Sequence, residues 1–403
     1  MGSRRITRRH AALAGAVLVI VAAAIVIPLT SLSGSTSPSA RPATSREAAA
    51  MPALAVTSFA GYPGQQPLPG APRLEVNAIA SADGQRLAVG SADGYPAVWK
   101  QDANGTWVLV TSPGALPAQS GPAALTSVAY GPAGWLAVGV PGPVVLSSAN
   151  GTTWQPAAGG ITTHLGKVSI VSATGGPRGY VILGKLAVSG GGCVADVWWS
   201  PNLASWKQAH DVNETVGSSQ TLAVAALADG FVSVGSHEGK PAAWVTSDGT
   251  TWRTIVLPGP DNAELNQIAV IGSLVVATGG TDGQGATPAF AVSSPDGGAT
   301  WRQEALQLPQ PGTVVTALAA GGPGFIAAGQ YGKPGQQQVV VWERPAGSGM
   351  WTQRQISGLT GSGTARTHEI TALEASAGAV TGLGPVAPQV SRQVAVLTLP
   401  PRS

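Results

Sequence analysis

Residues 294–301 read SPDGGATW, and variants of that stretch recur along the chain. ANGTTW ends at Trp154, NLASW at Trp206 and SDGTTW at Trp252, with weaker copies, DANGTW and PAGSGMW, ending at Trp107 and Trp351. Successive tryptophans of this series lie 46 to 52 residues apart. Self-similarity on that scale marks a repeat architecture, in which each unit is one supersecondary element. Residues 125–157 show the unit in full: LTSVAY, WLAVGV and VVLSS are separated by Gly/Pro turns, and an Asn-Gly turn then leads into Trp154. Residues 221–257 repeat the order. Four short antiparallel strands at this period are the blades of a β-propeller.

Composition agrees with an all-β chain. Apolar residues make up 44% and charged residues 10%, with 55 glycines and 32 prolines. Beyond residue 30, short β-branched runs bounded by Gly, Pro, Asn and Asp replace any helical periodicity. Asn-Gly and Asp-Gly supply the positive-φ positions of tight hairpins, and the tryptophan that follows covers the hairpin with apolar surface.

At the turn itself the chain resembles a known family. Ser294, Asp296, Gly298, Thr300 and Trp301 match every position of the Asp-box, S-x-D-x-G-x-T-W, of BNR/sialidase-type propellers. Ser247-Asp248-Gly249-Thr250-Thr251-Trp252 reads as a shortened form, Asn150 replaces the aspartate ahead of Trp154, and Asn202 stands ahead of Trp206. The resemblance covers nearly all of the chain after residue 53. It implies that the boxes are structural hairpins on the face opposite an active site, so these residues carry fold and not chemistry.

Six boxes suggest six blades, yet residues 368–399 continue the pattern without one: ITALEA, AVTGLG and QVAVLTL give three strands. A blade of three strands leaves an edge to be covered. ALAVTSF, residues 53–59, can supply the missing outer strand, which makes seven four-stranded blades within residues 53–400; six with a C-terminal extension is the alternative.

The first 52 residues are of another kind. RRITRRH leads into an uncharged run over residues 11–30, about 30 Å long as a helix and enough to cross a bilayer. Arg4, Arg5, Arg8 and Arg9 place the tail of residues 1–10 in the cytoplasm and the rest outside, as a single-pass signal anchor in the cell membrane. A cleaved signal peptide is the alternative. Residues 31–52, rich in Ser, Ala and Pro, read as a flexible linker. The Ala/Gly/Pro bias and the excess of Arg over Lys fit a high-GC bacterial source.

The chain is formally +3 and those four arginines supply +4, leaving −1 for the remainder. Such a body has no electrostatic footprint for nucleic acid. Cys193 is the lone cysteine, which excludes an intramolecular disulfide and a thiolate metal cluster.

Candidate ligand-binding residues follow from sorting polar side chains by loop. His164, His210, Asp211, Glu214, Asp261, Glu264, His368 and Glu369 fall in connections between blades. Asp93, Asp196, His237, Glu238 and Asp282 fall between second and third strands. Both sets belong to the face opposite the boxes, and the loop-face candidates are His210, Asp211, Glu214, His237, Glu238, Asp261 and Glu264. His237-Glu238 and His368-Glu369 begin like H-E-x-x-H, but Pro241 and Ala372 stand where a second histidine is required, so no metal or cofactor is expected. Sialidase chemistry needs an arginine triad, a Tyr/Glu nucleophile pair and an acid/base aspartate. The family's F-R-x-P motif is absent, Phe59 being followed by Ala60, and Arg253 and Arg302 repeat behind box tryptophans as structure. Trp99, Trp198, Trp244 and Trp342 recur in third strands, as packing rather than a sugar platform.

The expectation is therefore a non-catalytic binding or scaffold module for protein or glycan. A divergent sialidase-like or other glycan-cleaving enzyme, and an envelope or membrane-complex assembly factor, are the alternatives.

Overall fold

A computed structural model describes residues 53–111, 121–157, 161, 168–187, 193–209, 219–281, 289–321, 324–333, 337–356, 369–376, 379–386 and 393–399. They form seven four-stranded antiparallel sheets, the blades of a seven-bladed propeller. Blades 1 to 6 occupy residues 74–109, 124–156, 168–208, 219–256, 263–304 and 314–354, each with strands in chain order from inner to outer. Blade 7 is composite. Its three inner strands are Ala372–Ser376, Ala379–Pro385 and Gln393–Leu399, and the strand Ala53–Ser58 pairs with the last of these, Ala53 opposite Thr398. Seven blades, not six, thus result from the N-terminal segment closing the ring. Among the described residues no helix is long and apolar enough to cross a membrane; residues 11–30 lie outside them.

The core is divided like the sheet. Seven apolar clusters each span one boundary between neighbouring blades, because strand side chains alternate and every blade buries both faces. Trp198 belongs to the cluster between blades 2 and 3, and its neighbour Trp199 packs on the one between blades 3 and 4. The closing boundary gathers Phe59, Tyr62, Trp99 and Trp107 with Ala372, Leu383 and Val394 of blade 7. Phe59 stacks on the Trp107 ring at 5.2 Å and meets Trp99 edge-on at the same distance, and its backbone forms a parallel bridge to Trp107. Tyr62 donates to the Pro96 carbonyl, lies 2.7 Å from the Thr111 hydroxyl, and has its pKa pushed up to about 12 by burial.

Inner strands of blades 1 to 6 share one irregularity. Each carries a bulge at the same place, at Asn77, Thr126, Val171, Leu222, Asn266 and Thr316. The facing second-strand residue is glycine every time: Gly90, Gly139, Gly184, Gly235, Gly279 and Gly329, with Gly384 in blade 7. A Cβ there would lie 1.7 to 2.2 Å from a carbonyl oxygen of the inner strand in six blades, and 2.1 Å from a Val168 methyl in blade 3. The bulge pushes backbone into the space that a side chain would need.

Bulge side chains also reach sideways. Asn77 donates to the Leu125 carbonyl of blade 2 at 2.9 Å. Thr316 donates to Ile370, and Thr371, just ahead of the inner strand of blade 7, donates to Val76 of blade 1, both at 2.7 Å. Ser127, next to a bulge, donates to Ala173 of blade 3 at 3.0 Å. Inner strands are thus tied to their neighbours at four boundaries, the closing one included.

One boundary holds a buried ion pair. Arg344 of blade 6, 1% exposed, meets Glu304 of blade 5 with two nitrogens at 2.6 and 2.8 Å. Glu304 also accepts from Ser293 and from the Trp351 indole.

Two substitutions test these devices. Gly235→Ala should cost about 1–3 kcal/mol through overpacking, read as a lowered denaturant midpoint, whereas alanine at the exposed Gly272 turn should cost less despite its positive φ. Arg344→Met should cost roughly 3–5 kcal/mol because it strands the Glu304 carboxylate, and adding Glu304→Gln should restore part of that loss.

Candidate functional site

The strand register sorts the turns onto two faces. In blade 1, Ala92 pairs with Tyr95 at one end, whereas Leu87 and Lys100 pair towards the other, where the box turn follows. Box turns therefore share one face, and second-to-third strand turns and inter-blade connections share the opposite one.

On the box face the hydrogen bonds explain the motif. Asp296 Oδ1 accepts the Thr300 N–H at 2.8 Å and Oδ2 its hydroxyl at 2.6 Å. Ser294 Oγ donates to Asp296 and accepts the Gly298 N–H, and the Trp301 indole donates to the Gly298 carbonyl. In blade 4 Asp248 takes the N–H groups of Thr250 and Thr251 at 2.7 Å each, and Trp252 donates to Gly249. The hydroxyl that begins this box is Thr246, not Ser247: it donates to Asp248 and accepts the Gly249 N–H. Asn150 fills the aspartate's place in blade 2 with its amide oxygen, and Trp154 donates to Gly151. In blade 3 Asn202 does likewise, but Leu203, at φ 64°, replaces the glycine, and the buried Trp206 indole N–H has no partner. Leu203 tolerates the left-handed backbone while its side chain joins the cluster between blades 2 and 3. Blade 6 lacks the box, and Trp351 donates to Glu304 instead.

These bonds displace two carboxyl groups. The Thr251 N–H above all holds Asp248 at about 2, and the Thr300 hydroxyl above all holds Asp296 at about 2.

On the loop face His237 ends the second strand of blade 4, its Nδ1 2.8 Å from the Ser219 hydroxyl. Glu238 and Gly239, at φ 51° and 74°, form the turn that follows. The connection into blade 5 docks there through the Asn262 N–H on the Gly239 carbonyl at 2.6 Å. Asp261 lies 3.3 Å from Lys240, both well exposed. His237, Glu238 and Asp261 therefore gather around one rim, with Lys240 between. Glu264 lies two residues beyond Asn262, in the inner strand Ala263–Ile271, where its carbonyl abuts Gly279. His210, Asp211 and Glu214 lie outside the described residues, as do His164, Asp282 and His368.

Two further candidate carboxylates hold structure. Asp93, fully buried at φ 52°, pairs with Arg73 at 3.1 Å and takes part in backbone bonds to Leu68 and Arg73. Asp196 does not lie between strands as the sequence suggests: it sits within the third strand Cys193–Ser200, opposite Gly184, and accepts the Trp198 indole at 3.0 Å and the Gln208 amide at 2.7 Å. Trp99, Trp244 and Trp342 are fully buried and Trp198 nearly so, each in a third strand. Arg253 and Arg302 point outward behind their box tryptophans, as does Lys207, which lies over the Trp199 ring at 5.8 Å. Among the described residues no three His, Cys, Asp or Glu side chains gather closely enough to hold a metal ion.

No family model matches the chain, and no curated protein does. Among solved structures it is similar to YCF48 bound to a D1 peptide, at 14% identity and a TM-score of 0.49 over 86% of this chain and 98% of that one. It is similar to the WD40 β-propeller domain of Doa1, at 14% identity and a TM-score of 0.46 over 81% of this chain and 94% of that one. It is similar also to a Trypanosoma rangeli sialidase in complex with the inhibitor DANA, at 11% identity and a TM-score of 0.44. That match covers 81% of this chain and 55% of the sialidase, so the chain spans about half the enzyme's length. At such identities the likeness is one of fold alone.

A carboxyl whose folded pKa is depressed stabilises the fold above its unfolded value and loses that contribution as it protonates. The stability gap between wild type and the Asp248→Asn, Asp296→Asn double variant should hold above about pH 4. It should then shrink as pH falls through about 2. Chemical denaturation at stepped pH measures it, and a gap that ignores pH over that window refutes the role given to these carboxylates.

Proposed function

We propose that the protein is a membrane-anchored, extracytoplasmic propeller of the Asp-box type that binds protein or glycan through its loop face without catalysing a reaction on it. One observation carries the non-catalytic part: the two buried carboxylates among the candidates are engaged in holding a turn and a tryptophan. Asp93 is tied to Arg73, and Asp196 to Trp198 and Gln208. What faces solvent is the rim of His237, Glu238, Lys240 and Asp261, whose Lys240–Asp261 pair is exposed and so free to exchange partners. A rigid ring presenting adaptable polar loops is suited to recognition. The hydroxyl-aspartate-tryptophan bonding of the box turns supports the Asp-box assignment. Residues 11–30 and the arginines before them support the anchor, and residues 31–52 act as a spacer.

Crosslinking tagged full-length protein in its own membranes, followed by purification and mass spectrometry, tests this reading. A partner should be captured from wild type and be reduced several-fold by combined Glu238→Lys and Asp261→Lys changes on the loop face. The same partner should survive Arg253→Glu on the opposite rim. Turnover of glycosides by purified protein, abolished by Asp261→Asn, would replace binding with hydrolysis.

A further inference from the structure

The dipeptide Asn-Gly occurs in two box turns with opposite surroundings, and both continue to threonine. In blade 1 the turn joins the strand Tyr95–Gln101 to Trp107–Leu109. Asp102 organises it: its Oδ1 accepts the N–H groups of Asn104 and Thr106, and its carbonyl accepts that of Gly105 at 3.0 Å. Asn104 and Gly105 are exposed, and among the described residues no hydrogen bond holds the Asn104 side-chain amide. Blade 2 differs at the side-chain amide and at the glycine, although Asn150 is itself exposed. The Asn150 amide oxygen accepts from Ser148 Oγ and from the N–H groups of Thr152 and Thr153. Gly151 is buried, its nitrogen donates to Ser148 Oγ, and Gln85 and Trp135 crowd its α-carbon.

We propose that Asn104 is a site of spontaneous deamidation in the folded protein and that Asn150 is protected. The Gly105 nitrogen gives its proton to solvent base and attacks Asn104 Cγ. The Cγ–Nδ2 bond breaks, the amide nitrogen takes up a proton and leaves as ammonia, and a five-membered succinimide remains. Water adds to either ring carbonyl and opens it to aspartate or isoaspartate, with no change in oxidation state. Glycine favours the step, since no side chain shields its nitrogen, and at Asn104 it needs only the exposed Gly105 bond to Asp102 to open. At Asn150 the same closure disturbs three bonds to the side chain and one to the nitrogen of a buried glycine. The product adds a carboxylate beside Asp102, and the isoaspartate adds a methylene to the main chain three residues before Trp107, the ring on which Phe59 stacks.

Purified full-length protein, held folded at mildly alkaline pH, decides the matter by peptide mass mapping and isoaspartyl methyltransferase labelling. The Asn104 peptide should gain the mass of an amide-to-acid exchange, with both isomers present and a rate that climbs with pH. The Asn150 peptide should lag by at least about tenfold, the factor that one lost hydrogen bond of about 1.4 kcal/mol produces. Asn104→Gln should silence the first signal, and after unfolding in denaturant the two peptides should convert at similar rates. Equal rates in the folded protein, or an Asn104 that converts only after unfolding, overturn the proposal.

Discussion

Burial between neighbouring blades is the constraint on which the rest of this structure depends. No blade has a core of its own: the seven apolar clusters lie at the seven boundaries. A missing neighbour therefore exposes one whole face of a blade, and an open ring exposes two. The strand Ala53–Ser58 and the Phe59–Trp107 stack complete the closure between blade 7 and blade 1. Hydrogen bonds reinforce the same design near the axis, where bulged inner strands bond sideways, and at the rim, where Arg344 and Glu304 bridge blades 5 and 6.

Much of this was legible in the residues, and the reason is local chemistry. The box turns need hydroxyl, carboxylate or amide, a positive-φ residue and tryptophan at fixed offsets, and only a few residue types satisfy each offset. Closure by residues 53–59 follows from counting three strands in the last unit. The clearest count of seven was nevertheless a different signal. Gly90, Gly139, Gly184, Gly235, Gly279, Gly329 and Gly384 recur every 44 to 55 residues, once per blade, including the two blades that lack the box. In the sequence a mid-strand glycine looks like a weak strand residue; its meaning lies in the carbonyl facing it, which only the paired strand reveals.

The loop face was less legible. Sorting polar residues into loops identifies a face but says nothing of which side chains are already occupied. Asp196 reads in the sequence as a loop carboxylate, yet it lies within the strand Cys193–Ser200 and holds the Trp198 indole and the Gln208 amide. Glu238 likewise occupies a left-handed turn position, which its neighbour Gly239 only hints at. Thr246 shows the limit on the box side. Thr246 stands two residues before Asp248, as Ser294 does before Asp296, and so does the serine's work; the turn is shortened only after the aspartate, and Ser247 takes no part.

Joining the first strand to the last has a consequence in time. Ala53 leaves the site of synthesis long before its partner Thr398 exists, so the strand Ala53–Ser58 and the aromatic cluster of blade 1 wait for blade 7 to be made. Contacts between such distant residues are slow to form, and apolar surface stays exposed meanwhile. A chain cut short near its C-terminus would present that unclosed seam indefinitely. The seam thus distinguishes a complete molecule from a fragment, a checkpoint written into the topology of the ring.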